Sequence, residues 1–231
     1  MTSFSRLLKM GIALFALQIL TVPFIWAADG ISESLLLSVV PHRAIEDIRA
    51  DLDHSFIAIK LAHQRYTSAK ETYEMVQARI VVRENELKEI ELKLKNAKSS
   101  NDKSQAVALK ASKDAAKQIL DLLESRKNLR FAEVEAAQSG SELAQASKFV
   151  LELELEVSQK QVEHDSLQTA GTTAMEVNAL SQTIRAIEGK YLEAQQEEAK
   201  KLEQLASRER HVVDQRLKLF DLQGKVLGDK R

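Results

Sequence analysis

Cysteine is absent from this chain, which excludes structural disulfides, thiolate metal sites and a lipidated cysteine at a mature N-terminus. Proline is nearly as scarce: Pro23 and Pro41 are the only two, so nothing after residue 41 carries this helix breaker. Glycine, the other common marker of turns, is confined beyond that point to Gly140, Gly171, Gly189, Gly224 and Gly228. An excess of either charge is missing as well. The formal net charge is −1, so there is no basic surplus to attract nucleic acid and no acidic tail. Aromatic residues make up only 5% of the chain. What remains is rich in Ala, Glu, Lys, Leu and Gln, with 29% charged residues, a composition that fits long helices.

The N-terminus reads differently from the rest. "MTSFSRLLKMGIALFALQILTVPFIWAADG" places Arg6 and Lys9 ahead of an apolar run from Met10 to Leu20, followed by Pro23, Ala27 and Ala28. That order is the charged, apolar and small-residue order of a secretory signal, with cleavage after Ala27. The alternative is an uncleaved anchor, because the stretch from Met10 to Trp26, about 17 residues, reaches the short limit for crossing a bilayer. Either reading places the remainder outside the cytoplasm. Residues 28–41 form an apolar linker. Its "SLLLSVVP" (34–41) either caps the base of the following structure or forms a membrane-proximal or partner-binding segment, since isolated apolar runs are rarely left in water.

From Ile45 onward, large apolar residues recur at heptad spacing: Ile45, Leu52, Ile59, Tyr66, Tyr73, Ile80, Leu87 and Leu94. A second stripe follows three residues after each: Ile48, Ser55, Ala62, Ala69, Val76, Arg83, Ile90 and Ala97. An a/d pattern sustained this long marks a coiled-coil helix, whereas a strand would alternate by two. The first helix is expected over 42–98. "NAKSSNDKSQ" then interrupts, since Ser, Asn and Asp favour caps and turns. A second heptad runs through Ala108, Ala115, Leu122, Leu129, Ala136, Leu143, Val150 and Val157, with His164 next in phase. Its companion stripe is Ala111, Gln118, Ser125, Ala132, Ser139, Ala146, Leu153, Lys160 and Leu167. The phase passes unchanged through Gly140, so one helix is expected over 103–168, weakened locally by about 1 kcal/mol relative to alanine.

The next connector, "LQTAGTTAMEV", offers Gly171 for the left-handed residue past a helix end, and Thr173 with Glu176 for a capping box. A third helix is expected over 173–227 on the stripe Val177, Ile184, Tyr191, Glu198, Leu205, Val212, Leu219 and Val226, with the companion stripe Leu180, Ile187, Ala194, Lys201, Arg208, Gln215 and Leu222. Ala199, Leu202, Ala206, Val213 and Phe220 form a neighbouring stripe that widens its face. The fold expected is therefore all-α: a long, rod-like antiparallel three-helix coiled coil over 42–227.

Short turns make neighbouring helices antiparallel. The tightest register for helices one and two sets Tyr66 opposite Ser139 and Tyr73 opposite Ala132, so large rings fill the space beside small residues. The register for helices two and three adds Leu205 and Val212 to those layers. Two layers, Ile59/Ala146/Glu198 and Ala62/Leu143/Lys201, put charges beside the seam. There the side chains snorkel out, or helix three rotates or faces a partner chain. The second stripe would span roughly 90 Å at 1.5 Å per residue.

Motifs for chemistry are missing. There is no glycine-rich phosphate loop, no H-E-x-x-H and no G-x-S-x-G. Blocks such as "QEEAKKLEQ" read as solvated, ion-paired faces. One constellation tests the idea of a metal: the hairpin register brings His42 near His164, with Glu46 one turn from His42. Two histidines meeting by chance at a seam is the plainer reading. No catalytic residue, metal or cofactor is expected, and no enzymatic activity.

The run "DIRADLDHSFIAIKLAHQRYTSAKETYEMVQARI" resembles the periplasmic helical hairpins of TolC-like outer-membrane efflux proteins, over about residues 46–95. It matches that family's A-x-x-R-Y/V-x-x-A-K/R spacing, but the chain lacks alternating strands for a β-barrel. The resemblance implies a helical-hairpin protein of the same envelope setting. Together these observations lead us to expect a periplasmic or secreted coiled-coil spacer, adaptor or assembly subunit. Such a protein would have protein partners or self-association, no nucleic acid, and membrane contact only through a retained N-terminal segment. A holdase chaperone with helical arms is the alternative; its apolar tips would contrast with the polar "KSSNDKS" found here.

Overall fold

The computed structural model describes residues 39–228. The expected signal and most of the linker fall outside that range. Three helices follow one another: α1 (Ile45–Ser99), α2 (Lys103–Thr169) and α3 (Ala174–Gly228). The longest, α2, spans roughly 100 Å at 1.5 Å per residue. The protein is all-α, with no strand among the described residues.

Each helix junction is closed by the same device. At the end of α1, Asn101 adopts φ 57°, its N–H donates to the Lys98 carbonyl, and the Asp102 N–H donates to that of Ala97. At the end of α2, Gly171 adopts φ 69°, its N–H donates to Gln168, and the Thr172 N–H donates to Leu167. Both are Schellman motifs, which satisfy the last carbonyls of a helix while reversing the chain. Asp102 then serves twice, because its carboxylate accepts from the Gln105 N–H at 3.0 Å and so caps α2. At the start of α3, Thr173 donates its hydroxyl to the Glu176 carboxylate at 2.8 Å. The two side chains of the expected capping box thus bond one another instead of reaching each other's backbone. α1 begins at Ile45 rather than 42. His42 to Ala44 precede it, and the Ala44 carbonyl accepts the N–H groups of Asp47 and Ile48.

Burial along α1 follows the heptad closely. Apart from Asp51 and Thr72, every residue of α1 that is not exposed lies on the a/d stripes, and Arg83 alone of those stripes is exposed. A seam this narrow suits contact with one helix, whereas a member of a closed bundle needs a wider apolar face. The contacts agree: α1 packs on α2, α2 packs on α3, and no Cα of α1 comes within 8 Å of α3 among the described residues. The expected three-way layers are therefore replaced by two separate seams with α2 in the middle.

The two seams occupy different faces of α2. Ahead of the reach of α3, the residues of α2 covered by α1 include Ala106, Leu109, Lys113, Ala116 and Leu120, while Ala108, Ala111 and Ala115 of the expected stripe are exposed. Beyond the start of α1, His164 and Leu167 of the expected stripe are the covered residues, and His164 meets Ser181 of α3. The stripe read from the sequence is thus the α3-facing seam. A second stripe, displaced from it by roughly 150° around the helix at coiled-coil winding, faces α1.

The antiparallel registers keep close to expectation. Phe56 meets Lys148, Tyr73 meets Phe131 and Glu91 meets Lys113, all in one register between α1 and α2. Between α2 and α3, Gly140 lies against Leu205, Glu142 pairs with Lys201 and Glu135 pairs with Arg208. Because the α1 seam sits on another face, Tyr73 is only half-buried. Its ring leans on Phe131 at 5.7 Å and its hydroxyl accepts from Gln77 at 2.8 Å. The neighbouring stripe of α3 does not widen a packed face, since Leu202, Val213 and Phe220 are all exposed.

Gly140 and Gly171 should respond in opposite ways to alanine. A Cβ on Gly140 would sit 4.0 Å from Leu205, an ordinary contact, so Gly140→Ala should stabilise by about 0.5–1 kcal/mol. Gly171→Ala forces a side chain into the left-handed region and should cost about 1–2 kcal/mol. Thermal denaturation followed by circular dichroism checks both. A drop in Tm for Gly140→Ala would show that helix α2 is interrupted there.

Candidate functional site

A buried apolar cluster lies at the base of the helices, where the chain enters α1. Val40 packs there with Val150, Leu153 and Val157 of α2 and with Ile187, Tyr191 and Ala194 of α3. The α2 and α3 residues are a/d positions of their shared seam, so Val40 adds an apolar side chain from outside the helices to a layer already formed by two of them. This part of "SLLLSVVP" caps the base; residues 34–38 of that segment lie outside the described range.

A polar group sits within this apolar layer. Glu154 is 4% exposed. Both of its carboxylate oxygens accept from Nη1 of Arg43, at 3.4 and 3.5 Å, and the other end of that guanidinium pairs with Asp51 of α1. Burial pushes the Glu154 carboxyl above the usual range, Arg43 opposes that shift, and Asp51 adds to it. The Arg43 guanidinium is raised, chiefly by its hydrogen bond to Asp51, with burial acting against it. Across the seam, Tyr191 is 3% exposed and accepts from Gln195 at 2.7 Å. Burial raises its phenol, as do the charges of Glu154 and then Glu198. An unpaired charge in such a layer would cost several kcal/mol, which is why Arg43 must reach over the cluster from the entering segment.

Further along the α2/α3 seam, the charged layers resolve by turning sideways. Glu198 accepts from the Ser147 hydroxyl at 2.5 Å, and Lys201 donates to Glu142 at 3.0 Å. The Lys201 hydrogen bond holds Glu142 below the usual carboxylate range, with help from Gln138, and Glu142 in turn raises Lys201. The Glu142 contribution to stability is lost as pH falls through its lowered value, and that of Lys201 as pH rises through its raised one. These side chains thus reach out of the seam to polar partners at its edge.

The histidine pair does not form a ligand set. His164 directs Nε2 to the Ser181 hydroxyl at 3.1 Å and Nδ1 toward Asp165 at 3.5 Å, so both ring nitrogens are engaged within the α2/α3 seam and its edge. His42 and Glu46 instead line an open cleft beside Ser158, Gln161 and Asp165. Among the described residues, no group of three His, Asp or Glu is placed to hold a metal ion. A second open cleft, between α1 and α2, is lined by Leu61, Arg65, Ser68, Arg130 and Glu133, with Arg130 donating to Glu133 at 2.5 Å. Both clefts are open, the first between α2 and the segment entering α1, the second between α1 and α2. The sequence reading missed Arg43, Glu154 and Tyr191 as a unit, because 111 residues separate Arg43 from Glu154 and no local pattern joins them.

Tyr191 supplies two measurable consequences. Tyr191→Ala should cost about 3–5 kcal/mol, as buried aromatic residues do, and half-buried Tyr73→Ala clearly less. Equal losses in urea unfolding would contradict the burial described here. In a spectrophotometric titration, Tyr191 should ionise later than the ordinary value of 10.0. Tyr191→Phe should remove that late step, and an unchanged titration curve would disprove the assignment. Comparison with known proteins finds no matching family model, no matching curated protein and no matching solved structure.

Proposed function

We propose that this chain is an exported helical interaction protein of the cell envelope, a spacer, adaptor or assembly subunit working through its helix faces rather than through catalysis. The observation that carries the reading is the outer face of α3. Leu192, Ala199, Ala206, Val213 and Phe220 repeat at heptad spacing and are apolar, yet all but the half-buried Ala206 are exposed beside the a/d stripe that α2 covers. Phe220 is 72% exposed. A helix with one seam filled and a second stripe in the same period open to solvent is suited to receive a further helix, since contiguous exposed apolar patches mark interaction sites. α1 contributes exposed Ile57, Met75 and Val82 of its own.

The export part of the reading rests on the N-terminal charged, apolar and small-residue order. No helix among the described residues is long and apolar enough to cross a membrane. The likeness of about residues 46–95 to TolC-like periplasmic hairpins suits the same setting, and α1 with α2 forms an antiparallel helical hairpin.

Two measurements test the reading. Expressed at full length in a bacterial host, the chain should be recovered from the periplasmic fraction with Ala28 as its first residue. Recovery of an intact N-terminus in the cytoplasm would overturn the export claim. A photo-crosslinking residue at Val213 or Phe220 should capture a protein partner, or a second copy of the chain, while one at Lys200 on the charged side should not. Substitution at these exposed sites should leave stability within about 0.5 kcal/mol. Equal yields from all three positions would contradict a specific surface on α3.

A further inference from the structure

The apolar stripe left open on α3 carries a charge pattern of its own. Three residues after Ala199, Ala206 and Val213 stand Leu202, Glu209 and Arg216, all exposed, so the stripe and this companion repeat the a/d spacing of a second seam. From Leu192 to Phe220 it runs through four heptad steps, roughly 42 Å at 1.5 Å per residue, long enough for a coiled coil. Glu203 and Arg210 border it on the side of α3 opposite the α2 seam. Both are exposed, and neither pairs with another group among the described residues. Around Ala206 the order Leu202, Glu203, Ala206, Arg210, Val213 thus reads alike in both directions: apolar, charged, small, charged, apolar. The two charges differ in sign.

We propose, building on the reading of α3 as an interaction face, that this stripe receives the same stripe of a second copy of the chain, antiparallel and in one register. A two-fold contact needs a surface that reads alike in both directions, because residue i then meets j while j meets i. With Val213 of one copy in the layer of Leu202 of the other, Glu203 lies beside Arg210 of the other copy, and the same pair recurs across the axis. The bulky polar residues of the companion stripe then face small ones, Arg216 opposite Ala199 and Glu209 opposite Ala206. The two Glu209 side chains approach across the axis, each near Arg210 of the other copy. Sliding by one heptad either way sets Glu203 against Glu203 or Arg210 against Arg210. A parallel pair sets Glu209 against Glu209 and Arg216 against Arg216. Like charges so placed disfavour these alternatives, so charge fixes direction and register as well as the partner.

The cysteine-free chain allows a direct test. Full-length chains carrying Leu202→Cys or Val213→Cys are oxidised mildly, each alone and after refolding together. In the proposed register the two sites share a layer, within the Cα separation of about 7 Å that a disulfide tolerates. Each site lies roughly 16 Å along the axis from the same site of the other copy, at 1.5 Å per residue. A disulfide-linked dimer should therefore form in the mixture and from neither variant alone. Sedimentation equilibrium of the unaltered chain should give a dimer. Glu203→Arg or Arg210→Glu should each weaken it about tenfold or more, and both changes in one chain should restore it. A monomeric parent, no linked dimer in the mixture, equal linkage of either variant with itself, or no rescue by the double reversal would each overturn the proposal. A monomer whose Val213 or Phe220 still crosslinks to a different protein would overturn this pairing and leave the interaction reading of α3 standing.

Discussion

The structure depends on α2 carrying two apolar seams on nearly opposite sides of one helix. A helix with one covered stripe buries it against one neighbour, as α1 and α3 do. α2 differs. From Leu122 to Val157 nearly all of its surface is covered, and its exposed residues, such as Asn128, Gln138, Gln145 and Glu152, fall on one restricted side. The hydrophobic effect is proportional to apolar area removed from water and has no preferred direction. Such a helix therefore recruits a partner on each flank, and the partners need not meet. The tight Schellman turns at Asn101 and Gly171 then fix both neighbours as antiparallel.

That arrangement leaves a layer of helices rather than a closed bundle, and its consequences appear at both levels of packing. In the middle, charges near the α2/α3 seam reach sideways: Lys201 to Glu142 and Glu198 to Ser147. Closing a third helix over those positions would desolvate them further, at a cost that weak ion pairs do not recover. At the base, the layer is tied by Val40 and Arg43 rather than by a third helix–helix contact. The same openness leaves the outer stripe of α3 uncovered, and that stripe is the basis of the functional proposal.

Much of the fold was legible in the sequence because heptad spacing is a strong signal and the turns carry specific chemistry. The a/d stripes of α1 and α3, the continuity of α2 through Gly140 and the left-handed Gly171 all follow from local pattern. The face of α2 that meets α1 did not, for a physical reason. Leu109, Ala116, Leu123, Val134, Ala137 and Ala144 form a second apolar stripe, and a helix with two such stripes admits more than one choice of seam. Reading only the a/d stripe placed the two tyrosines of α1 in a closed core, whereas the fully buried ring is Tyr191. Asn101 took the left-handed role that a search for glycine overlooks. The Glu154 cluster was illegible because "LELELE" looks like a solvated edge until Arg43 and Val40 are brought to it from the far end of the chain.

The claim that α2 separates α1 from α3 is tested most directly by disulfide formation in the cysteine-free chain. Ala62 and Lys201 share a layer in a closed three-helix bundle. In the layer described here, two helix-to-helix steps of 8–10 Å put α1 and α3 roughly 16–20 Å apart, well beyond the Cα separation of about 7 Å that a disulfide tolerates. Ala62→Cys combined with Lys201→Cys should therefore remain as free thiols within the monomer under mild oxidation. Rapid formation of an intramolecular disulfide between them would show that the helices close into a bundle and that α2 does not keep them apart.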